Sequence, residues 1–267
     1  GASVVTTLDA AAQQAAAKAL GDRPGAVVAI DYKTGAVKAL VTSPTYDPND
    51  LATHDLTAAQ KSWEALNADA NKPLSNRATR EIFPPGSTFK LVVSAAALAS
   101  GMTPDTLVDS PDSLTLPGTS RPLGNSSSCG GTKISLEQAL KVSCNTAFAG
   151  LGMQLGADAV RTQAQKFGFG SGNELPDLGS ATSNFPAKLD QAQLAQSSIG
   201  QFDVAATPLQ MAMVAAGIAN NGVVMQPYLV QQVRAADLTV LETARPQQFS
   251  QAMTAENAQA LQRMMVA

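Results

Sequence analysis

The chain has 267 residues, of which 45% are hydrophobic, and its formal net charge at pH 7 is −3. That length supports one large domain or two small ones with a substantial core. The weak negative charge, with no basic run, argues against nucleic acid or an anionic membrane surface as the partner. No apolar run approaches the ~18 residues that a membrane span requires.

Histidine and cysteine are scarce in this sequence. His54 is the only histidine, and Cys129 and Cys144 are the only cysteines. One imidazole argues against Ser-His-Asp, Cys-His and His-rich metal chemistry, and two cysteines cannot complete a four-ligand zinc site. We therefore expect no metal and no cofactor, and any nucleophile must be activated without imidazole.

The first 80 residues predict a helix, a hairpin and a surface segment. The alanine-rich residues 7–20 favour a helix, with Asp9 near its N-terminus. The stretch "GAVVAIDYKTGAVKALV" predicts a β-hairpin over residues 25–43 that turns at Lys33-Thr34-Gly35. The polar, proline-bearing residues 44–80 are expected to form an excursion at the rim of the domain.

The remaining chain is predicted to be mainly helical and then to return to strands. Residues 87–222 favour helices, interrupted by a Pro/Gly/Ser-rich loop over 104–132. Residues 223–267 contain strand-like runs and the start of a last helix. Strands at both ends of a helical middle predict an α+β fold, formed by residues 1–267 as a single domain whose sheet gathers distant segments.

The segment "EIFPPGSTFKLVVSAAALASG" places a serine and a lysine at the head of an apolar helix predicted over 87–100. Pro84-Pro85-Gly86 halt the chain, so Ser87 lies in the first turn, where backbone N–H groups are unpaired. Lys90 follows on the same face of the helix. An unprotonated lysine amine can take the proton of a serine hydroxyl, which answers the lack of a suitable histidine.

That chemistry requires a low lysine pKa. Lowering it from about 10.4 to about 7 is worth roughly 4.6 kcal/mol, which burial among apolar neighbours such as Phe89 and Leu91 makes plausible. The alternative is a serine N-cap beside a surface lysine, and Ser-x-x-Lys recurs by chance in a chain of this size. The surrounding motifs have to decide between the two.

A second polar motif, Ser143-Cys144-Asn145, lies between two predicted helices in "SLEQALKVSCNTAFAGLG". Another Ser-x-Asn, Ser171-Gly172-Asn173, is glycine-rich and is interpreted as a turn. With "PLSNRATREIFPPGSTFKLVVSAAAL" and "SSIGQFDVAATPLQMAMVAAGIANNGVVMQPYLV", these blocks resemble the transpeptidase domain of class B penicillin-binding proteins, in its order and over essentially the whole chain. Within that family the chain looks closest to the actinobacterial penicillin-binding protein A type.

The resemblance implies the penicillin-binding and serine β-lactamase-like fold, an antiparallel sheet with a helical subdomain, and a set of catalytic roles. Ser87 would attack a D-Ala-D-Ala stem peptide or a β-lactam ring, and Lys90 would be the general base. Ser143 would relay the proton towards the leaving amine, and Asn145 would bind the substrate amide and orient Lys90. The backbone N–H of Ser87 would form half of an oxyanion hole, worth roughly 3–4 kcal/mol per donor.

The chain departs from this family at its third motif, a Lys-Thr/Ser-Gly strand, which should follow the "IANNG" block. Its only Lys-Thr-Gly is Lys33-Thr34-Gly35, at the predicted hairpin turn. We therefore expect the C-terminal strands to be absent from this chain and the natural protein to continue beyond Ala267. Phe202 is a second departure, because the family often has glycine after Gly-Gln.

The family also implies a location and partners. Its members act at the extracytoplasmic face of the bacterial membrane, often an oxidising setting. Cys129 and Cys144 would then either pair, closing a loop of about 15 residues worth roughly 3 kcal/mol, or remain separate thiols. The partners would be peptidoglycan stem peptides, β-lactams and proteins of cell-wall synthesis or division.

Three functions remain open on the sequence: a D,D-transpeptidase with possible carboxypeptidase activity, a serine β-lactam hydrolase, and a non-catalytic penicillin-sensing domain. Hydrolases that share "STFK" resemble Ser-x-Val at the second motif, so Asn145 argues against that function. Slow release of the acyl group separates the transpeptidase and the sensing domain from the hydrolase. Turnover of a D-Ala-D-Ala peptide separates the transpeptidase from the sensing domain. Elsewhere, Trp63 and Phe89 are predicted to pack. Arg77 and Arg80 are predicted to lie on the surface or in ion pairs, and Asp203 and Thr207 to cap the helix that begins near Pro208.

Overall fold

The computed structural model describes residues 1–172 and 174–267, so Asn173 of the glycine-rich Ser-x-Asn lies outside the described residues. The helices are α1 (Ala10–Leu20), α2 (Leu56–Ala68), α3 (Arg77–Arg80), α4 (Lys90–Ala99), α5 (Leu136–Lys141), α6 (Asn145–Leu155), α7 (Ala157–Phe167), α8 (Gln191–Ser197), α9 (Pro208–Ala219) and α10 (Ala255–Val266). The strands are β1 (Ser3–Thr6), β2 (Gly25–Ile30), β3 (Val37–Ser43), β4 (Leu107–Asp109), β5 (Ser113–Thr115), β6 (Pro122–Gly124), β7 (Lys133–Ser135), β8 (Val223–Met225), β9 (Val230–Arg234), β10 (Val240–Thr243) and β11 (Gln248–Gln251).

Strand pairing joins the two ends of the chain, as the α+β prediction requires. Strand β1 pairs antiparallel with β9, which also pairs with β10. Strands β2 and β3 form the antiparallel hairpin, and a parallel bridge from Ala36 to Tyr228 links it to the C-terminal part. The Lys33-Thr34-Gly35 segment is the hairpin turn, where a Cβ on Gly35 would lie 2.3 Å from the Gln226 carbonyl oxygen.

The hydrophobic core surrounds α4. This helix is apolar on all sides, which is typical of a helix buried inside a domain, and its residues 92–98 are buried. Helices α6, α7 and α10 pack against it. Phe89, just before α4, is fully buried and packs edge-on against Phe169 and face-on against Phe185, so the prediction that it packs is confirmed. The polar N-terminus of α4 is therefore held in place by the buried apolar residues around it.

Residues 44–80 contain more regular structure than the sequence predicted. Asp55 caps α2 by accepting hydrogen bonds from the Thr57 and Ala58 amides, and α2 carries no buried residue. Trp63 on this helix is 47% exposed, so its predicted packing role is wrong. A tryptophan in a helix that projects from the domain has no core to enter.

Arg77, in contrast, is buried rather than on the surface. Its guanidinium donates hydrogen bonds to the carbonyl oxygens of Asn71 and Lys72, and lies 3.6 Å from the Glu81 carboxylate. The ion pair was one of the two predicted outcomes for this residue. A buried arginine is stable here because its donors meet backbone acceptors and a carboxylate.

The predicted loop over 104–132 contains three short strands. Strand β4 pairs with β7, and β5 pairs with β6. Strands of three residues are too short for an alternating pattern to stand out in the sequence. In the described part of the chain, no helix is both long and apolar enough to cross a membrane.

Candidate active site

Ser87 and Lys90 lie where the chain enters α4. Residues Gly86–Phe89 form a turn of 3-10 helix, and α4 begins at Lys90, whose backbone N–H donates to the Ser87 carbonyl oxygen. The predicted helix over 87–100 therefore opens with a tighter turn. Ser87 is exposed, whereas Lys90 is fully buried. The hydroxyl thus faces solvent while the amine approaches it from the core side.

The turn that carries Ser87 packs directly against the "SSIGQ" segment. The Gly86 N–H donates a hydrogen bond of 2.9 Å to the Gly200 carbonyl oxygen. Gly200 has φ +73°, and a Cβ there would lie 2.0 Å from the Gly86 carbonyl oxygen. Only glycine fits this contact without moving the backbone next to the candidate nucleophile. Gly200 was not predicted to belong to the site, although its Gly-Gln motif was the available signal.

Phe202, two residues further on, has a backbone conformation that favours glycine. Its φ is +59°, and its side chain is 38% exposed. A non-glycine residue in this left-handed region costs roughly 1–2 kcal/mol. The chain tolerates that conformation, and no further role for Phe202 follows from its contacts.

The Lys90 amine brings the two predicted motifs together. Its Nζ lies 3.1 Å from Ser87 Oγ, 2.9 Å from Ser143 Oγ, 2.8 Å from the Ser143 carbonyl oxygen and 2.7 Å from Asn145 Oδ1. The amine of Lys90 is therefore within hydrogen-bond distance of the other three predicted site residues. A serine N-cap beside a surface lysine does not describe this arrangement.

The four neighbours of Lys90 fall into two kinds. The Ser143 carbonyl oxygen and Asn145 Oδ1 can only accept hydrogen bonds, whereas the two hydroxyls can also donate. A neutral amine has two N–H donors and one lone pair. When both donors bind the two obligate acceptors, the lone pair is left for a hydroxyl proton. The contacts thus orient a neutral Lys90 as a base towards Ser87 or Ser143.

Burial also lowers the pKa of Lys90, from 10.5 to about 8, because removal from water disfavours the ammonium form. At pH 7 about one amine in ten is then neutral, against fewer than one in a thousand at the ordinary value. The Phe148 ring, 5.8 Å from Nζ, favours the ammonium form and opposes this effect. Lys90 is therefore poised to accept a proton near physiological pH.

Ser143 faces Lys90 because of an unusual backbone conformation. Helix α5 ends at Lys141, α6 begins at Asn145, and Ser143 between them has φ +54°. This left-handed conformation is rare for serine. It directs both the carbonyl oxygen and the hydroxyl of Ser143 towards the same amine. Strain of this kind is concentrated at functional sites.

The segment before Cys129 forms the third side of the site. Asn145 Nδ2 donates a 3.2 Å hydrogen bond to the Gly124 carbonyl oxygen, which leaves Oδ1 facing Lys90. Cys129 and Cys144 form a disulfide, with a Cα–Cα distance of 5.5 Å, and both are buried. Of the two outcomes left open for these cysteines, the structure has the bonded one. Gly124 was missed because a backbone carbonyl leaves no sequence signal.

The comparisons with known proteins agree with this fold. Residues 25–267 match the penicillin binding protein transpeptidase domain, so the chain belongs to that family. It is 44% identical over 275 residues to the peptidoglycan D,D-transpeptidase PbpA of Mycolicibacterium smegmatis, covering all of this chain and 56% of PbpA. It is 33% identical to MrdA of Escherichia coli K12, covering 86% of this chain and 38% of MrdA. The chain thus spans about half the length, or less, of these relatives.

Solved structures extend the agreement to the whole fold. Penicillin-binding protein A from M. tuberculosis, solved as a penicillin G acyl-enzyme complex, superposes with a TM-score of 0.96 and 41% identity, over 100% of this chain and 63% of that one. The D,D-transpeptidase domain of an Eggerthella lenta peptidoglycan glycosyltransferase gives 0.89 and 33%, over 100% and 66%. The predicted transpeptidase fold, and the likeness to penicillin-binding protein A, are confirmed.

Proposed function

We propose that this chain carries the nucleophile of a peptidoglycan D,D-transpeptidase, which forms a serine acyl-enzyme with D-Ala-D-Ala stem peptides and is acylated by β-lactams. The observation that carries the proposal is the position of one buried amine, Lys90, against the hydroxyls of both Ser87 and Ser143. The relatives are named as peptidoglycan D,D-transpeptidases, which supplies the substrate class, and the acyl-enzyme complexes of the structural neighbours supply the β-lactams.

In the acylation step, neutral Lys90 takes the proton of Ser87 as Oγ attacks the carbonyl carbon of the penultimate D-alanine. The negative charge that develops on the carbonyl oxygen is met by the backbone N–H of Ser87 at the exposed start of the helix. The tetrahedral intermediate then expels the terminal D-alanine. Ser143, 2.9 Å from Nζ, conducts the proton from Lys90 to the leaving nitrogen.

In the second step, the amino group of another stem peptide attacks the Ser87 ester. Its excess proton passes to Lys90, which returns it to Ser87 Oγ as the ester bond breaks and the new peptide bond is completed. With a β-lactam, the nitrogen that leaves the carbonyl carbon stays attached to the acyl group through the opened ring. The ester therefore persists, because the departing group occupies the position that an incoming amine would need.

The proposal includes a location and a partner class. The chain would act on the extracytoplasmic face of the bacterial cell membrane, beside other proteins of cell-wall synthesis or division. The buried disulfide between Cys129 and Cys144 supports an oxidising setting, because such bonds persist outside the reducing cytoplasm. Asn145 supports transpeptidase over β-lactam hydrolase, on the family pattern at the second motif.

Intact-mass measurement after incubation with benzylpenicillin tests the proposal. The protein used extends past Ala267 to include the Lys-Thr/Ser-Gly strand that we expect from the family resemblance. We expect a lasting adduct of one benzylpenicillin per chain, absent from Ser87→Ala and retained in Ser100→Ala. Ser100 lies at the far end of the same helix, where its hydroxyl bonds the Ala97 carbonyl oxygen.

The other outcomes contradict the proposal in distinct ways. A folded protein that forms no adduct is not a penicillin-binding enzyme. Rapid release of opened benzylpenicillin identifies a hydrolase, and a stable adduct without turnover of a D-Ala-D-Ala peptide identifies a penicillin-sensing domain. An adduct that survives in Ser87→Ala removes Ser87 from the role of nucleophile.

A further inference from the structure

Helix α6, which carries Asn145 at its first position, lacks a cap of its own. The N-cap residue is Cys144, and its side chain makes no capping hydrogen bond because its sulfur is bonded to Cys129. The first N–H groups of a helix have no partner within the helix and require an acceptor from elsewhere. The backbone that positions Asn145 therefore depends on another segment.

Asn125, twenty residues before the helix, supplies the missing acceptor. Its Oδ1 accepts a 3.0 Å hydrogen bond from the backbone N–H of Thr146, the second residue of α6. Its Nδ2 donates to the Thr146 hydroxyl at 3.1 Å and to the Pro111 carbonyl oxygen at 3.3 Å. Thr146 in turn donates to the same Pro111 oxygen at 2.6 Å. These partners fix which end of the Asn125 amide faces the helix.

The neighbouring residue holds the side chain of Asn145. The Gly124 carbonyl oxygen accepts the 3.2 Å hydrogen bond from Asn145 Nδ2, so Oδ1 is the atom that meets Lys90 at 2.7 Å. If the Asn145 amide turned over, its NH₂ group would face the amine of Lys90, which has no acceptor to offer when protonated. Two consecutive residues, Gly124 and Asn125, thus set both the backbone and the side chain of Asn145.

We infer that Asn125 is a positioning residue of the active site: it caps α6 from the adjacent segment and so holds Asn145 against Lys90. This inference rests on the proposed function, since it concerns the same acylation step. The hydrogen bonds of Asn125 go to Thr146 and Pro111 and not to Ser87 or Lys90, so it acts through Thr146 and the start of α6. Its contribution should therefore appear in the rate of acylation more than in the stability of the fold.

The test is the second-order rate constant for acylation by benzylpenicillin, measured above the pKa of Lys90 so that the amine is neutral in every variant. Asn125→Ala removes the cap and both donors, and we expect about a tenfold loss, because small displacements of a catalytic group cost 10–100-fold in rate. Asn125→Asp keeps an acceptor for the Thr146 N–H and should restore at least about a third of the wild-type rate, since aspartate is an equally good cap.

Thr254→Ala is the matched control for lost stability. Thr254 caps α10 through a 3.2 Å hydrogen bond from the Asn257 N–H, on an exposed helix end that contributes no atom to the site. Its removal should lower the melting temperature to a similar degree and change acylation by less than about twofold. If Asn125→Ala does not fold, Asn125→Ser replaces it, because a serine hydroxyl is too short to reach Thr146.

Each outcome has a separate meaning. The positioning role is supported if acylation is slow in Asn125→Ala, restored in Asn125→Asp and unchanged in Thr254→Ala. Wild-type acylation in Asn125→Ala overturns the inference and leaves the proposed function intact. Equal loss in Asn125→Ala and Thr254→Ala reduces Asn125 to a structural residue. No acylation of the wild-type protein is a failure of the proposed function instead.

Discussion

In the proposed mechanism, Lys90 takes the role that imidazole has in serine enzymes with a catalytic histidine, and it does so from a fixed position. Its Nζ is 3.1 Å from the Ser87 hydroxyl and 2.9 Å from the Ser143 hydroxyl, so one nitrogen reaches both without a change of rotamer. The two obligate acceptors hold its N–H groups in either protonation state. A base that does not move between two hydroxyls can accept a proton from one and return it to the other.

The pKa of Lys90 predicts the pH dependence of acylation. In the proposed mechanism the base is the neutral amine of Lys90. Burial lowers its pKa to about 8, so the fraction of active enzyme should rise as pH increases through that value. The rate constant for benzylpenicillin acylation should rise about tenfold per pH unit below pH 7 and level off above about pH 9.

Circular dichroism over the same pH range controls for unfolding. An acylation rate that is flat from about pH 6 to pH 9 would contradict the assignment of Lys90 as the base, because no group that loses its proton in this range would then govern the reaction. A rate that keeps rising about tenfold per pH unit above pH 9 would show a base with an ordinary lysine pKa instead. A rate that levels off well below pH 8 would also argue against Lys90 as the base.

At the scale of elements, the site depends on close backbone contacts that only glycine permits. Gly200 follows α8 and lies directly against the backbone of Gly86, one residue before Ser87. In Gly200→Ala the new Cβ would lie 2.0 Å from one backbone oxygen, and its φ of +73° is strained for alanine. We expect a loss of at least about 2 kcal/mol in stability, together with slower acylation, because the two segments must separate.

Gly150→Ala provides the matched control within the same domain. Gly150 lies inside α6, where a Cβ would meet no atom within 4 Å. Alanine is favoured over glycine in a helix interior, so this variant should gain roughly 0.5–1 kcal/mol with unchanged acylation. Urea unfolding and the benzylpenicillin rate measure both effects. If Gly200→Ala unfolds and acylates like the wild-type protein, the glycine contact does not define the site.

At the scale of the whole molecule, the sequence predicted the parts whose signal is local. The hairpin around Lys33-Thr34-Gly35, the helix capped by Thr207 and the serine turn before α4 each have a pattern within a few residues. Trp63 was wrongly assigned to packing, because a large aromatic residue carries no sign of which helices reach the core.

The same distinction between local and long-range signals applies to the candidate site. Ser87 and Lys90 are joined by helical spacing, and their motif could be found in the sequence. The contact of Lys90 with Ser143 and Asn145 spans more than 50 residues and could be anticipated only through the family resemblance. Gly124 and Asn125 act through a backbone carbonyl and a cap supplied by a distant segment, for which the sequence holds no local pattern.

The disulfide connects this site to the stability of the whole chain. It closes a 15-residue separation between Cys129 and Cys144, and it lies between the segment bearing Gly124 and the helix bearing Asn145. Such a cross-link restricts the unfolded chain and should contribute about 3 kcal/mol. The double variant Cys129→Ala/Cys144→Ala should therefore melt roughly 10 °C lower than the oxidised wild-type protein. Wild-type protein treated with a reductant should approach the double variant, whereas the double variant should not respond to reductant. Equal melting temperatures for all three samples would show that the cross-link does not stabilise the folded chain.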